Sequence, residues 1–211
     1  MFKDFGGFIQ STTGQIIVIT AIVLLFGCIL VFGKSKEEKG YDIKSLTICA
    51  ILVAIAVVLS QFKLFTMPQG GSVTPLSMLP IALCGYLLGT RNAVMAGIVL
   101  GLVNLLIGGY VIHPVQMLID YPMAFGAMGI GAFMRNRKHG LIWVYIIGIV
   151  GRYICAVLSG IIFFGSYAPE GFNSVVWSLW YNFTYIAAEG VITIAILVAI
   201  EKPLMQLKDR I

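Results

Sequence analysis

Four side chains capable of hydrogen bonding recur along one stretch near the carboxyl end of the chain. They are Ser178, Asn182, Tyr185 and Glu189, at relative positions i, i+4, i+7 and i+11. Residues at this spacing lie on one face of an α-helix, so the spacing predicts a polar stripe. The surrounding stretch 167–186, YAPEGFNSVVWSLWYNFTYI, is rich in aromatic residues. Aromatic walls with a few polar groups are typical of small-molecule sites.

Two ionisable residues inside apolar segments are expected to lie at the same depth. Arg152 and Glu189 each fall about 17 Å from the same predicted end of their segments, at about 1.5 Å per helical residue. Because an uncompensated charge in a membrane is costly, the sequence predicts an ion pair between them. The alternative is that one of the two contacts a ligand.

A third ionisable residue, Asp120, lies near the opposite end of its segment, in the phrase 113-HPVQMLIDYPMAFG-126. Tyr121 and Tyr110 are predicted at the same level. Aromatic faces and one carboxylate favour flat, cationic or heteroaromatic ligands through stacking and cation–π attraction, at about 0.5–2 kcal/mol per contact. Two alternatives remain open: a water-exposed interfacial Asp120, and an aromatic belt at the membrane surface.

The composition indicates which elements must position these residues. The chain of 211 residues is 59% hydrophobic and 11% charged, whereas a soluble domain carries about 25% charged residues. A spanning helix needs roughly 20 apolar residues. Apolar runs near this length predict an all-α integral membrane protein with seven segments, at 15–33, 45–64, 76–90, 93–109, 116–134, 141–164 and 175–200.

Lysine and arginine residues fall almost entirely on one side of these segments. The other side has only Lys3 and Lys63; the basic side has Lys34, Lys36, Lys39, Lys44, Arg91, Arg135, Arg137, Lys138, Lys202, Lys208 and Arg210. The positive-inside rule predicts a multi-pass protein of the cell membrane, with the N-terminus outside and the C-terminus in the cytoplasm. The basic loops are expected to lie beside anionic membrane lipid, not nucleic acid.

Several kinds of chemistry are not indicated by the sequence. The cysteines Cys28, Cys49, Cys84 and Cys155 lie in apolar runs without C-x-x-C spacing, which favours buried small hydrophobes over disulfides or metal ligands. No nucleotide-binding or hydrolase motif occurs. We expect a binding or transport protein without cofactor, metal or enzymatic activity. An intramembrane enzyme using Asp120 or Glu189 as a general base, and a purely structural bundle, remain alternatives.

Three phrases carry a resemblance to a known family. They are 113-HPVQMLIDYPMAFG-126, 151-GRYICAVLSGIIFFGSYAPEG-171 and 177-WSLWYN-182. Over roughly residues 45–200 the chain resembles the thiamine-specific substrate-binding (S) subunits of energy-coupling factor transporters. The resemblance implies a six-helix S-component-like bundle at 45–211. The predicted N-terminal outer tail, extra transmembrane helix and basic cytoplasmic loop in 1–44 lie outside the family's usual six helices.

The resemblance also implies a site and partners. The ligand is expected near the outer face, beneath a mobile cap formed by 65-FTMPQGGSVTP-75. The implied partners are a transmembrane coupling subunit and two cytoplasmic ATPases. The coupling subunit is expected to dock on Ala50 and Ala54, which have the A-x-x-x-A spacing that permits close helix approach. Packing among the chain's own helices is the alternative use of that pattern.

The substrate-binding residues implied by the resemblance are Asp120, Tyr121, Tyr110, Phe164, Trp177, Tyr181, Asn182 and Ala156. The chain departs from the family at four of them. Asp120 stands where Glu is typical and Trp177 where Tyr is typical; Ala156 replaces a His, and Phe164 an aromatic residue that is commonly Trp. We therefore expect thiamine or a thiamine-like heterocycle as the ligand. Another flat vitamin or a nucleobase-like precursor is the alternative.

Overall fold

The computed structural model describes residue 8, residues 11–32 and residues 42–208. Helices form most of this part of the chain, close to the predicted segments. Their bounds are α1 Thr12–Phe32, α2 Ile43–Gln61, α3 Leu79–Leu88, α4 Thr90–Gly108, α5 Pro114–Met134, α6 Gly140–Phe163 and α7 Ser174–Lys208. The predicted helix at 15–33 is thus present as α1, which contacts α4. Most of the basic loop before α2 lies outside the described residues.

Local chemistry accounts for several of the helix ends. Asp42 caps α2 by accepting a hydrogen bond from the Ser45 amide at 2.8 Å. His113 caps α5 by accepting one from the Val115 amide at 3.1 Å, and Pro114 occupies the first turn, where no N–H is needed. Gly89, with φ of 94°, forms the sharp turn between α3 and α4.

The protein is a multi-pass membrane protein. Among the described residues, α2, α4, α5, α6 and α7 are long and apolar enough to cross a bilayer. Helix α3 has 10 residues, or about 15 Å of helix, and does not reach across a hydrocarbon core of about 30 Å. It is shorter than the predicted run 76–90 because residues 74–78 form a turn. Helix α3 packs in the protein core, where Ile81, Ala82 and Cys84 are fully buried.

Helix α5 changes its winding where it approaches α4. It begins as an α-helix, forms a π-helical turn at Ile119–Met123, and ends as a 3-10 helix at Met128–Met134. Pro122 has no N–H to donate within this turn. Gly97 and Gly101 of α4 allow the backbones to touch, since an added Cβ would lie 2.2 Å from the Phe125 carbonyl oxygen and 2.4 Å from that of Tyr121.

The segment predicted as a mobile cap forms a small hairpin, which we call the cap hairpin (residues 65–73). Strands β1, Phe65–Thr66, and β2, Ser72–Val73, pair antiparallel. A short 3-10 turn, Pro68–Gly70, connects them. The hairpin packs against α7, where the Thr184 hydroxyl lies 3.5 Å from Met67 Sδ. The described residues are therefore mainly helical and include this two-stranded element.

The end of the bundle opposite the cap hairpin carries basic groups. Lys208 Nζ donates to the Arg135 carbonyl at 3.0 Å and to Asn136 Oδ1 at 2.8 Å. His139 Nδ1 and Glu201 Oε2 are 2.8 Å apart. These contacts tie the end of α7 to the loop between α5 and α6.

The four cysteines are free thiols. Cys84 and Cys155 are buried, as predicted, whereas Cys49 is partly buried and Cys28 is exposed, so the prediction of a buried Cys28 is wrong. Cys28 lies on the peripheral helix α1. Cys49 of α2 and Cys84 of α3 face each other with 3.2 Å between their sulfurs.

Candidate functional site

A cavity of about 270 Å³ lies between the cap hairpin and the ends of α4, α5, α6 and α7. All the residues that the sequence analysis assigned to substrate binding line it, namely Tyr110, Asp120, Tyr121, Ala156, Phe164, Trp177, Tyr181 and Asn182. They come from three helices and two loops. The fold thus brings together residues that are up to 72 positions apart in the chain, from Tyr110 to Asn182.

Asp120 lies in the π-helical turn of α5 and is partly buried. Gln116 Nε2 donates to Asp120 Oδ2 at 2.6 Å and to the Tyr110 carbonyl at 3.0 Å. The other side of the same amide, Gln116 Oε1, accepts from the Ile112 amide at 3.1 Å. Gln116 is 1% exposed, so it fixes the carboxylate relative to the loop that precedes α5.

Tyr110 and Tyr121 form the loop side of the cavity. The Tyr110 amide donates to the Tyr121 hydroxyl oxygen at 2.6 Å. The Tyr110 ring is exposed and lies 6.2 Å from that of Phe164, centroid to centroid. A hydrogen bond with the Tyr167 side chain raises the pKa of Tyr110, so the two hydroxyls lie together at this edge of the cavity.

The predicted polar stripe of α7 is present, with three of its four members on the cavity. Asn182 Nδ2 donates to the Ser178 carbonyl at 2.9 Å and to the Ala156 carbonyl at 3.3 Å. Tyr185 donates its hydroxyl proton to Asn182 Oδ1 at 2.9 Å. These bonds fix the orientation of the amide. The fourth member, Glu189, is buried and does not line the cavity.

Aromatic residues of α7 divide between the cavity and the surface. The rings of Trp177, Tyr181 and Tyr185 follow one another at centroid distances of 5.9 Å, and all three line the cavity. Trp180 is 59% exposed and points away from the cavity. The belt and the binding-site interpretations therefore apply to different residues, because successive positions of a helix face different directions.

Tyr181 also connects α7 to the cap hairpin. The Gly71 amide donates to its hydroxyl oxygen at 3.1 Å, and the hydroxyl donates to the Pro68 carbonyl. A Cβ on Gly71 would lie 2.7 Å from that hydroxyl oxygen. The cap hairpin can therefore lie this close to α7 because position 71 lacks a side chain.

The predicted ion pair between Arg152 and Glu189 is wrong. The Arg152 guanidinium carbon lies 4.4 Å from the centroid of the Phe125 ring, and Arg152 lines the cavity. Glu189 accepts instead from the hydroxyls of Thr74 and Ser77, each at 2.9 Å. Arg152 is directed toward α5, whereas Glu189 is directed toward the segment that follows the cap hairpin.

Sequence reasoning missed several lining residues. The main interpretation of the sequence places Arg152 in an ion pair, and only its alternative gives one of the two residues a ligand contact. Gln116 and Ser159 are neutral and gave no signal of their own. Ser60 and Asn104, whose side chains are 2.7 Å apart at the cavity rim, lie at the ends of apolar runs, where polar residues are ordinary.

The site is equipped for non-covalent binding. The lining contains one carboxylate and one guanidinium, Asp120 and Arg152, among aromatic rings, with Lys63 toward the end of α2. No histidine or cysteine is among the lining residues. In the part of the chain that the structure describes, no group of three His, Cys, Asp or Glu residues could hold a metal ion.

Comparisons with known proteins agree with this arrangement. The chain is 37% identical over 164 residues to "Thiamine transporter ThiT" of Bacillus subtilis (strain 168), covering 70% of this chain and 85% of that protein. It is 31% identical over 202 residues to "Thiamine transporter ThiT" of Lacticaseibacillus paracasei, covering 86% of this chain and 85% of that protein.

A solved structure of ThiT from Listeria monocytogenes matches with a TM-score of 0.65 and 28% sequence identity, over 76% of this chain and 96% of that one. Residues 46–209 match the family described as Thiamine transporter protein (Thia_YuaJ). This match covers more than half of the chain and includes every residue that lines the cavity, so the chain belongs to the thiamine transporter protein family.

Proposed function

We propose that this protein is the substrate-binding (S) subunit of an energy-coupling factor transporter and takes up thiamine. The observation that supports this function best is the cavity, in which Asp120 and a set of aromatic rings surround a space of about 270 Å³. This volume lies close to the lower end of the range for small-molecule sites, about 300–1,000 Å³. Membership of the thiamine transporter family names the ligand class.

The chemistry of thiamine suits these residues. Its thiazolium ring is a flat cation, and its aminopyrimidine ring is a flat hydrogen-bonding heterocycle. Asp120 supplies a negative charge for the cation, and the rings of Trp177, Tyr181 and Tyr185 supply faces for stacking and cation–π contact. Asn182 and the Tyr110 hydroxyl supply hydrogen-bonding groups for the heterocycle. The protein binds and releases the vitamin unchanged and is not an enzyme.

The orientation follows from the charge distribution. Arg135, Lys208 and the other basic groups mark the cytoplasmic end, so the cavity and the cap hairpin lie at the outer face. The N-terminus is then outside and the C-terminus inside. In this arrangement thiamine enters from outside, beneath the cap hairpin.

The protein has no nucleotide-binding motif and depends on partners for energy. We assign the docking of a transmembrane coupling subunit, which itself joins two cytoplasmic ATPases, to the face of α2 that carries Ala50 and Ala54. Both side chains are exposed, whereas Ala56 is fully buried in the core. Small exposed residues four positions apart allow another helix to approach closely.

Isothermal titration of the purified protein with thiamine tests the ligand. We expect saturable binding of one thiamine per chain, and quenching of tryptophan fluorescence that is reduced in Trp177→Phe. Riboflavin, a different flat vitamin, is the comparison ligand. Tight binding of riboflavin with no binding of thiamine would overturn the proposed ligand. Recovery of a chemically altered thiamine would show an enzyme.

Uptake of labelled thiamine by cells tests the docking face. Ala50→Trp and Ala54→Trp should abolish uptake and leave thiamine binding by the purified protein unchanged. Ala188→Trp is the matched control, because Ala188 is an exposed alanine on α7. Normal uptake by both α2 variants would show that this face does not dock the coupling subunit.

A further inference from the structure

A buried carboxylate lies directly behind the cavity wall. Glu189 is 2% exposed and does not line the cavity. Its Oε2 accepts from Thr74 Oγ1 at 2.9 Å; its Oε1 accepts from Ser77 Oγ at 2.9 Å and from the Met78 amide at 3.4 Å. Among the described residues, no ion pair within 4.0 Å involves it. These three donors are therefore the main groups that stabilise the buried carboxylate.

All three donors belong to one short segment. Residues 74–78 follow strand β2 of the cap hairpin and precede helix α3. Thr74 and Ser77 themselves line the cavity and are 2.7 Å apart, hydroxyl to hydroxyl. Glu189 thus contacts the cavity wall from outside, through two of its members.

The same segment contains a strained residue. Leu76 has φ of 60°, in the left-handed region, which a bulky side chain rarely adopts. Its carbonyl accepts from the Leu79 amide at 3.0 Å, which closes the turn into α3. A residue in this conformation persists only where the surrounding structure holds it. Glu189 bonds the residues on both sides of Leu76.

We infer that Glu189 is a positioning residue for ligand binding: it holds the strained turn 74–78 against α7 and so fixes the cavity wall and the base of the cap hairpin. Helix α7 carries Asn182 and Tyr185 of the cavity on the same stripe as Glu189. The carboxylate therefore sets the distance between the turn and the opposite wall. Tyr181 holds the tip of the cap hairpin to the same helix, and Glu189 holds its base.

The effects of substituting Glu189 distinguish a positioning role from a purely structural one. Glu189→Leu removes a charge that is costly to bury, and the freed hydroxyls of Thr74 and Ser77 lie 2.7 Å apart on the cavity, where they can bond each other. Glu189→Leu should therefore keep the protein folded while it releases the turn. Glu189→Gln retains one acceptor oxygen and an amide that can bond a hydroxyl, so it is the conservative variant.

Thiamine titration and thermal unfolding of the full-length protein test the inference, which rests on the proposed ligand. Glu189→Leu should weaken thiamine binding about tenfold, which corresponds to about 1.4 kcal/mol, without lowering the melting temperature of the ligand-free protein. Glu189→Gln should recover most of the affinity. Leu76→Asn, which accepts a left-handed φ more readily, should recover part of it when combined with Glu189→Leu.

The matched control is Glu201→Leu, since Glu201 is also a buried glutamate of α7 but pairs with His139 at the far end. This control should bind thiamine normally. If the unmodified protein binds no thiamine, the proposed function fails. If it does bind thiamine, the positioning role is overturned by an unchanged affinity in Glu189→Leu. A loss of affinity that follows a lowered melting temperature and is not recovered by Leu76→Asn also overturns it.

Discussion

A close approach between α6 and α7 at the cavity depends on Gly160. A Cβ at this position would lie 2.1 Å from Ser178 Oγ, 3.1 Å from Ser178 Cβ and 3.2 Å from Asn182 Nδ2. Since atoms in ordinary contact are separated by about 3.5–4.0 Å, Gly160→Ala forces Ser178 away by on the order of 1 Å. The Ser178 hydroxyl donates to the Val157 carbonyl at 2.8 Å, so the displacement breaks a bond that joins the two helices.

The displacement reaches the ligand site through Asn182, which bonds both Ser178 and the Ala156 carbonyl. Overpacking of a filled core costs about 1–3 kcal/mol. If that cost falls on the binding-competent arrangement, thiamine affinity should drop by roughly 5- to 150-fold, at about 1.4 kcal/mol per factor of ten. Isothermal titration of the unmodified protein and of Gly160→Ala measures this drop directly.

Two further variants separate a local clash from general damage. Gly190→Ala is the matched control, because its added Cβ would meet only the flexible end of Ile149 at 3.0 Å; it should bind thiamine normally. Combining Gly160→Ala with Ser178→Ala removes the clashing oxygen, so the pair should bind more tightly than Gly160→Ala alone. An unchanged affinity in Gly160→Ala, or no recovery in the pair, would refute the role assigned to this contact.

Further predictions concern the cavity, the cap hairpin and the core. Asp120→Asn should weaken thiamine binding by about 1.5–3 kcal/mol, the range for hydrogen bonds to charged groups; an unchanged titration would remove Asp120 from the site. Tyr181→Phe should speed thiamine dissociation in stopped-flow fluorescence, because the cap hairpin loses its hydroxyl partner; an unaltered rate would contradict that link. Ala156→His should tighten thiamine binding by about 0.5–1.5 kcal/mol through one neutral hydrogen bond, whereas weaker binding would show that the cavity has no room for the ring. Treatment with diamide should join Cys49 and Cys84 within one chain by mass spectrometry, and a failure to do so would contradict the packing of α2 on α3.

Helical periodicity and residue type were sufficient to predict much of the site. The i, i+4, i+7, i+11 spacing placed Ser178, Asn182 and Tyr185 on one face of α7, because a long apolar run in a membrane has to be a helix. Residue type also marked Asp120 and Tyr110, in other parts of the chain, before the resemblance implied the same positions. In both cases the informative residue was polar or aromatic at a position in a membrane segment where an aliphatic residue would be sufficient for packing.

Other features depend on contacts that a single sequence does not reveal. The cap hairpin pairs only two residues on each strand, too few for an alternating pattern. The widened turn at Ile119–Met123 packs against Gly101 of α4, a contact that the sequence alone does not show. Helix α3 is short because it begins only after the strained turn at Leu76. A leucine does not indicate a positive φ, so the sequence contains no sign of this turn.

The error over Arg152 and Glu189 shows how charges are accommodated in this membrane protein. An ion pair requires that two side chains face each other, and a similar position along two helices does not ensure this. Each of the three intramembrane ionisable residues is compensated mainly by neutral groups: Arg152 by the Phe125 ring, Glu189 by two hydroxyls, and Asp120 by an amide. Because Asp120 and Arg152 line the cavity and neither forms an ion pair within 4.0 Å among the described residues, both remain available to a ligand. A cationic ring that reaches Asp120 gains a charge partner that has no lysine or arginine nitrogen within 4.0 Å among the described residues.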